Sequence, residues 1–396
     1  MKIAIICNEI KPVPAVEGGA VETLVDLLIE NNEEIQKVEM DVYSKFNEKA
    51  LETSTKFKNT NFRYIKYSLK KEKKLNVANK FLGKLGMKKF ISPYVVNAVK
   101  ELKKKKYDWI IVENRPHYVG IIKRNVKEAK IALHLHNDTL NEEISSSESI
   151  LRSCDKVLSV SNYINSRVRE VAKTKKDFNK AVVLENKIDI EKFKEQKNHN
   201  VLREKYDISS EEVILLYHGR VMYEKGVLEL VKAFVKAFER NKLLRLVIIG
   251  EVNDEKYKEK LNIEISKVPM NKVLMLGYID YHKLPKYIGD TDIIILPSLW
   301  NEPFGLTIIE SMAMRKPVIS TNMGAIPEIL SNNCGIVVEK DENLVTNLAN
   351  EILELARDTK KRHILSENGR NKVVSVYNSK GYLSELIDKL KLPVDL

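Results

Sequence analysis

Short aliphatic runs alternate with amphipathic helical patterns almost from one end of this chain to the other, and few folds accommodate that pattern. Apolar runs bounded by polar segments and followed by a helical period read as βα units, whose strands are buried on both faces of a mostly parallel sheet. A first series of strands is predicted near 2–7, 38–43, 62–66, 108–112, 130–135, 156–160 and 181–184. A second series follows near 213–218, 244–249, 272–277, 292–297, 317–320 and 335–338, with helices over Lys225–Glu239, Phe304–Met314 and Leu344–Leu355. Between the two lies the polar, lysine- and asparagine-rich segment Lys192–Asn200, which reads as a linker. With 396 residues there is chain enough for two cores, so two α/β domains are expected, at 1–192 and 200–376.

The two halves open alike. Lys2–Cys7 leads through Pro12 and Pro14 to Gly18-Gly19 and a helix with Val21, Leu24, Val25 and Leu28 at helical spacing. Val213–Tyr217 leads to His218-Gly219-Arg220 and then to Lys225-Gly226. Open α/β sheets bind ligands beyond the carboxyl ends of their strands, so two such domains facing each other are expected to enclose one cleft.

Composition excludes several classes. No stretch approaches the roughly eighteen apolar residues that a membrane-spanning helix needs. The apolar run at the N-terminus is too short for a signal peptide, and Cys7, Cys154 and Cys334 follow neither a metal nor a disulfide spacing, so a cytoplasmic, reducing location is expected. The net charge of +12 is concentrated: nine lysines against one glutamate between Lys66 and Lys89, and a run from Lys103 to Lys106. This is either a solvated lysine-rich face or, because Phe81, Leu82, Leu85 and Met87 interleave with Lys80, Lys84, Lys88 and Lys89, a docking face for an anionic membrane, in peripheral contact, or for the acceptor. No zinc-finger, RNA-binding or basic-zipper signature is present, so no nucleic-acid partner is expected.

Several residues can carry chemistry. Gly18-Gly19 ahead of a helix is a plain turn or an anion site, and Arg220 with Lys225, on the loop after a strand, are surface cations or a diphosphate clamp. In Ile293–Glu310 a buried strand ends at Pro297, and Pro303 marks the next helix start. On that helix Glu310 shares a face with Leu306 and Ala313, so its carboxylate needs a partner: a salt bridge, or the two vicinal hydroxyls of a ribose. Glu302 is then at the helix mouth, either on the surface or directed at a ligand. His134 and His136 share one face of a strand end, followed by Asn137-Asp138, and the spacing reveals no third metal ligand, so no metal is expected. Asp290-Thr291-Asp292 spells a DxD, but at the wrong end of its strand for a ligand.

Together these residues resemble the retaining nucleotide-sugar glycosyltransferases of GT-B fold, family 4. Glu302-Pro-Phe-Gly-Leu-Thr-Ile-Ile-Glu310 matches the family's EX7E motif, extended by Ser311-Met312-Ala313, Lys316-Pro317-Val318-Ile319 and Gly324-Ala325-Ile326-Pro327-Glu328. Gly18-Gly19, His218-Gly219-Arg220, Lys225-Gly226, Val160-Ser161 and Glu185–Asp189 support it, with Lys187 and Ile188 standing where the family commonly has glycine and valine. The resemblance implies transfer of a sugar from a nucleoside-diphosphate sugar, UDP first, to a hydroxyl, with retention and no obligatory metal or cofactor, and the basic face points to a glycan or lipid-linked acceptor in bacterial surface polysaccharide or glycolipid synthesis. It implies that Arg220 and Lys225 hold the diphosphate, Glu310 the ribose and Glu302 the sugar and phosphate. The amides of Phe304, Gly305 and Leu306 assist, with Gly219, Gly277 and Tyr278 around the nucleotide. Gly18 and Gly19 cover the diphosphate, His136 contacts the sugar, and the loop Glu113-Asn114-Arg115-Pro116, with His117, serves the acceptor. The stretch from Tyr377 to Lys391 resembles the family's last helix, so 377–396 is expected to pack back on the first domain. A GT-B epimerase or phosphorylase, a two-lobed solute-binding protein, and a scaffold that has lost turnover remain as alternatives.

Overall fold

The computed structural model describes residues 1–67, 74–75, 77, 92–194 and 200–394. Its contacts divide the chain into two compact units, Met1–Asn186 with Lys380–Leu396, and Lys187–Ser379.

In the first unit β1 (Lys2–Ile6), β2 (Glu39–Lys45), β3 (Thr60–Ile65), β4 (Trp109–Glu113), β5 (Lys130–Leu135), β6 (Lys156–Ser159) and β7 (Ala181–Val183) form a parallel sheet in the order β3-β2-β1-β4-β5-β6-β7. β1 lies between β2 and β4, so the order reverses there, and the loops after β1 and β4 flank the reversal. The aliphatic run of β1 is buried on both faces, as continuous apolar strands of parallel sheets must be. The helix Ala20–Ile35 packs Leu24, Val25 and Leu28 on this core. So does the helix Tyr382–Lys391, through Tyr382, Leu383, Leu386, Ile387 and Leu390; each Leu or Ile so buried contributes about 1.5–3 kcal/mol.

In the second unit β8 (Val213–His218), β9 (Leu244–Ile249), β10 (Val273–Gly277), β11 (Ile293–Leu296), β12 (Val318–Thr321) and β13 (Ile336–Val338) are parallel in the order β10-β9-β8-β11-β12-β13. The reversal falls between β8 and β11, which places the loops 219–226 and 297–305 side by side.

Every predicted strand is present with ends shifted by three residues or fewer, while three helix starts move. The helix expected from Lys225 begins at Val227, because Tyr223–Lys225 is a 3-10 turn and Gly226 adopts φ 66°. The helix expected from Phe304 begins at Leu306: Gly305, at φ 148°, caps it, and Pro303 belongs to the preceding loop instead of the first turn. The helix expected from Tyr377 begins at Tyr382, after Gly381 at φ 86°.

Most of the basic stretch, including Lys80, Phe81, Leu82, Lys84, Leu85, Met87, Lys88 and Lys89, lies outside the described residues. In the run Lys103–Lys106, Lys104 pairs with Glu101, Lys105 with Asp41 and Lys106 with Glu128. Among the described residues no helix is long and apolar enough to cross a membrane.

Candidate active site

In the second unit the chain leaves β8 through Gly219 and Arg220, and the Tyr217 hydroxyl donates to the Arg220 carbonyl at 2.7 Å, fixing the loop over its own strand. Gly226 is required: a Cβ there would stand 1.9 Å from the Pro297 carbonyl oxygen, so only glycine lets this loop meet the one leaving β11. The contact brings Lys225 to Glu302, Nζ to Oε1 at 2.5 Å, although 77 residues separate them. Ser298 donates its hydroxyl to the same oxygen at 2.7 Å. Glu302 is therefore not a free surface carboxylate. Both partners keep some solvent access, with 23% and 14% of their side chains exposed, so the pair is accessible to a ligand. Arg220 is exposed.

Eight residues on, Glu310 is buried and accepts the Tyr281 hydroxyl at 2.9 Å instead of forming the salt bridge that was one expectation. Burial pushes its carboxyl up to about 7, although the Tyr281 hydrogen bond and the charge of Lys192 pull the other way. Tyr281 is itself held between Phe193, ring centres 5.6 Å apart, and the Lys192 ammonium 3.8 Å from its ring centre. No spacing rule identifies Tyr281, which lies between β10 and β11 in a segment without a motif. Beneath the site His218 meets Ser311 at 2.9 Å. Because Ser311 spends its proton on the Thr307 carbonyl at 2.7 Å, His218 is the donor through Nε2, and burial lowers its pKa to about 4, so the ring is neutral.

Gly277 adopts φ 67° at the end of β10, and Tyr278 beside it is 72% exposed. Phe304 is buried against Tyr377, ring centres 5.6 Å apart, so its ring belongs to the core. Gly305 and Leu306 open the following helix. Asp290 accepts the amide of Leu202, in the short helix Val201–Lys205, at 2.5 Å, and Asp292 accepts that of Ile214, near the start of β8, at 2.8 Å; this DxD is structural. Lys187 and Ile188 do not disturb the chain. Lys187 has no positive φ and donates to the Val376 carbonyl at 2.7 Å, and Ile188 bridges to Asn378.

In the first unit Gly18 and Gly19 adopt φ 64° and 121°, and the carboxylate of Glu22, which accepts from Asn8 at 2.6 Å, lies directly against Gly19. The ends of β4 and β5 bring together Glu113, His134 and His136. Glu113 Oε2 is 3.1 Å from His134 Nδ1 and 2.9 Å from His136 Nε2, and all three side chains are buried. Three ligand atoms thus lie within 4.8 Å of one another, which corrects the expectation that no third donor stands by the two histidines. It also removes Glu113 from the acceptor loop, since its side chain points inward. Burial alone would raise Glu113, but the two imidazoles outweigh it and hold the carboxyl at about 2; burial lowers His136. Arg115 is tied to Glu9 at 2.8 Å, a carboxylate that also accepts the Tyr118 hydroxyl, while His117 is exposed against the Tyr118 ring.

Residues 198–372 match the family of glycosyl transferases group 1. The chain is 25% identical over 391 residues to YtcC of Bacillus subtilis, a glycosyltransferase by name, covering 95% of this chain and 88% of that one. It is 29% identical over 203 residues to the capsular polysaccharide biosynthesis glycosyltransferase CapM of Staphylococcus aureus, covering 51% of each. Among solved structures, Anabaena HepE in complex with UDP-glucose superposes with a TM-score of 0.72 at 18% identity, covering 98% of this chain and 99% of that one. The fold is GT-B, and the matched residues include Arg220, Lys225, Tyr281, Glu302 and Glu310. The comparisons support a glycosyltransferase.

Proposed function

We propose that the protein is a retaining glycosyltransferase of family 4 that moves a sugar from a UDP-sugar to a hydroxyl of a glycan or lipid-linked acceptor, in synthesis of a bacterial surface polysaccharide. The observation that carries this is Glu310: a buried carboxylate with a single phenolic donor is completed by the two vicinal hydroxyls of a ribose. The UDP-glucose bound to HepE and the capsule role in CapM's name favour the donor and the pathway class.

In this reading Arg220 and Lys225 hold the diphosphate and stabilise the charge that grows on it, the largest electrostatic contribution available. Glu302 and the amides of Phe304, Gly305 and Leu306 engage sugar and phosphate, and Gly219, Gly277 and Tyr278 border the nucleotide. From the first unit we assign Gly18 and Gly19 to the diphosphate, His136 to the sugar, and Arg115 and His117 to the acceptor. The anomeric carbon–oxygen bond to the diphosphate breaks, the acceptor oxygen bonds to that carbon on the same face, and the acceptor proton passes to a departing phosphate oxygen. No metal is required in this step.

A thermal-shift screen with UDP, GDP, ADP and their sugar conjugates, with and without EDTA, tests the reading, since a ligand that binds only the folded state raises its midpoint. A shift with UDP and UDP-sugars that survives EDTA is expected, and the EDTA arm also reads the Glu113–His134–His136 cluster. A shift confined to another nucleotide reassigns the donor; none at all removes the proposal.

A further inference from the structure

The amino-terminal end of the first unit's sheet contains a cavity of about 480 Å³ that the proposed reaction does not use. Trp109, Lys130 and Lys156 are the first residues of β4, β5 and β6, so the cavity opens at the amino ends of the strands. The Glu113–His134–His136 cluster sits at their carboxyl ends, about 15 Å away along the strands.

Five lysines line the cavity, Lys130, Lys156, Lys176, Lys180 and Lys391, against one carboxylate, Asp155. Asp155 is already committed, to the Lys123 ammonium at 2.8 Å and the Ile131 amide at 2.8 Å. Lys180 is committed as well, to Asp177 and two backbone carbonyls. Lys156 is different. It is 1% exposed, and its ammonium nitrogen is buried with no hydrogen-bond partner among the described residues. Burial lowers its pKa, as an unpaired ammonium demands. A desolvated cation without a counter-charge is among the costliest groups a fold can contain, so its retention at the wall of a cavity calls for an anion there. The remaining wall is apolar: Trp109, with Lys130 standing 5.5 Å from its ring centre, and Leu390, Leu392 and Pro393.

We propose that this cavity is a second ligand site, separate from the transfer chemistry, which binds a small organic phosphate or diphosphate. Lys156 and Lys130 meet the phosphoryl oxygens, and the Trp109–Leu390–Pro393 wall receives the carbon skeleton. Lysine suits the role because its ammonium is a compact point charge with three donors, indifferent to the orientation of a tetrahedral anion.

Trp109 supplies a local reporter, since the chain has two tryptophans and the other, Trp300, lies in the second unit. In Trp300→Phe, pyrophosphate titrated at constant ionic strength is expected to change Trp109 emission saturably, with chloride and perchlorate inert. Adding Lys156→Met is expected to weaken the response at least tenfold while the melting midpoint holds or rises, because an uncompensated charge has been removed. Lys130→Met, at the more exposed position, gives an independent reading should the first variant not fold. Removing the donor cations with Arg220→Ala and Lys225→Ala is expected to leave the Trp109 response intact. No saturable response in Trp300→Phe, a response that follows ionic strength and not the anion, or an undiminished response in both lysine variants overturns the proposal.

Discussion

The Lys225 ammonium stands 2.5 Å from a carboxylate oxygen of Glu302, and the Ser298 hydroxyl shares that oxygen at 2.7 Å. The loops after β8 and β11 are thereby locked together at the place where the sheet order reverses. The pair fixes the direction of a cation while leaving it reachable.

Lys225→Ala separates the two roles of the pair. Transfer is expected to fall about 10²–10³-fold, the loss typical of one electrostatic donor. Because the pair is only partly shielded, stability is expected to drop by about 1 kcal/mol, well short of a fully buried pair. In the double variant with Glu302→Ala the stability loss should be smaller than the sum of the singles while transfer is not restored. Chemical denaturation of the four proteins, alongside a transfer assay, checks both parts.

If Glu310 holds the ribose as proposed, donor binding is expected to depend on pH. Its folded pKa, about 7, lies above the ordinary carboxylate value of 4.5, so the protonated form favours the fold. Its contribution is fully present below about pH 4.5 and is lost as pH rises through 7. Glu310→Gln is therefore expected to match or exceed wild-type stability at pH 8, by up to ~3 kcal/mol, with the gap closing toward pH 4.5. In the proposed site ribose hydroxyls would stabilise the ionised form, so nucleotide binding to wild type should release a proton near pH 6.5, and the variant should bind more weakly with no release. Calorimetry in buffers of different ionisation enthalpy reads this directly.

The strands were legible because parallel sheets need uninterrupted aliphatic runs, and such runs are local. The glutamates eight residues apart were legible for the same reason. Their partners were not: Lys225 reaches Glu302 across 77 residues, Tyr281 reaches Glu310 across 29, and His218 reaches Ser311 across 93. Those contacts follow from strand order, which periodicity does not encode. Glu113 was visible only as part of a loop, since nothing in Glu113-Asn114-Arg115 reveals that β4 and β5 are neighbours. Helix starts moved wherever a glycine with positive φ ended the preceding turn, as at Gly226, Gly305 and Gly381.

Ser311→Ala tests the floor of the site. The substitution removes the acceptor of a buried, neutral His218 N–H, and an orphaned donor costs about 1–3 kcal/mol. The melting midpoint should fall at neutral pH, where the ring is uncharged. His218, with a folded pKa near 4 against an ordinary 6.5, already favours the fold less as pH drops from 6.5 to 4, so His218→Gln should flatten that part of the wild-type stability profile. An unchanged profile in His218→Gln would show that other groups govern acid sensitivity.

Glu113→Gln addresses how His136 is aimed. One carboxylate oxygen stands 3.1 Å from His134 Nδ1 and 2.9 Å from His136 Nε2, so the charge orients both rings. Held at about 2, Glu113 contributes stability that is present above its ordinary pKa of 4.5 and lost as pH falls toward 2. The amide keeps the shape, removes the charge and offers a donor where two ring nitrogens converge. A loss of about 1.5–3 kcal/mol at pH 7 is expected, narrowing below pH 4.5. The transfer rate at saturating donor should fall with little change in donor affinity, because the donor contacts proposed for Arg220, Lys225 and Glu310 are untouched. Denaturation at pH 7 and pH 4, together with kcat and KM for the donor, distinguishes a positioning role from a structural one. Lost stability with an unchanged kcat would leave Glu113 as a buried counter-charge alone.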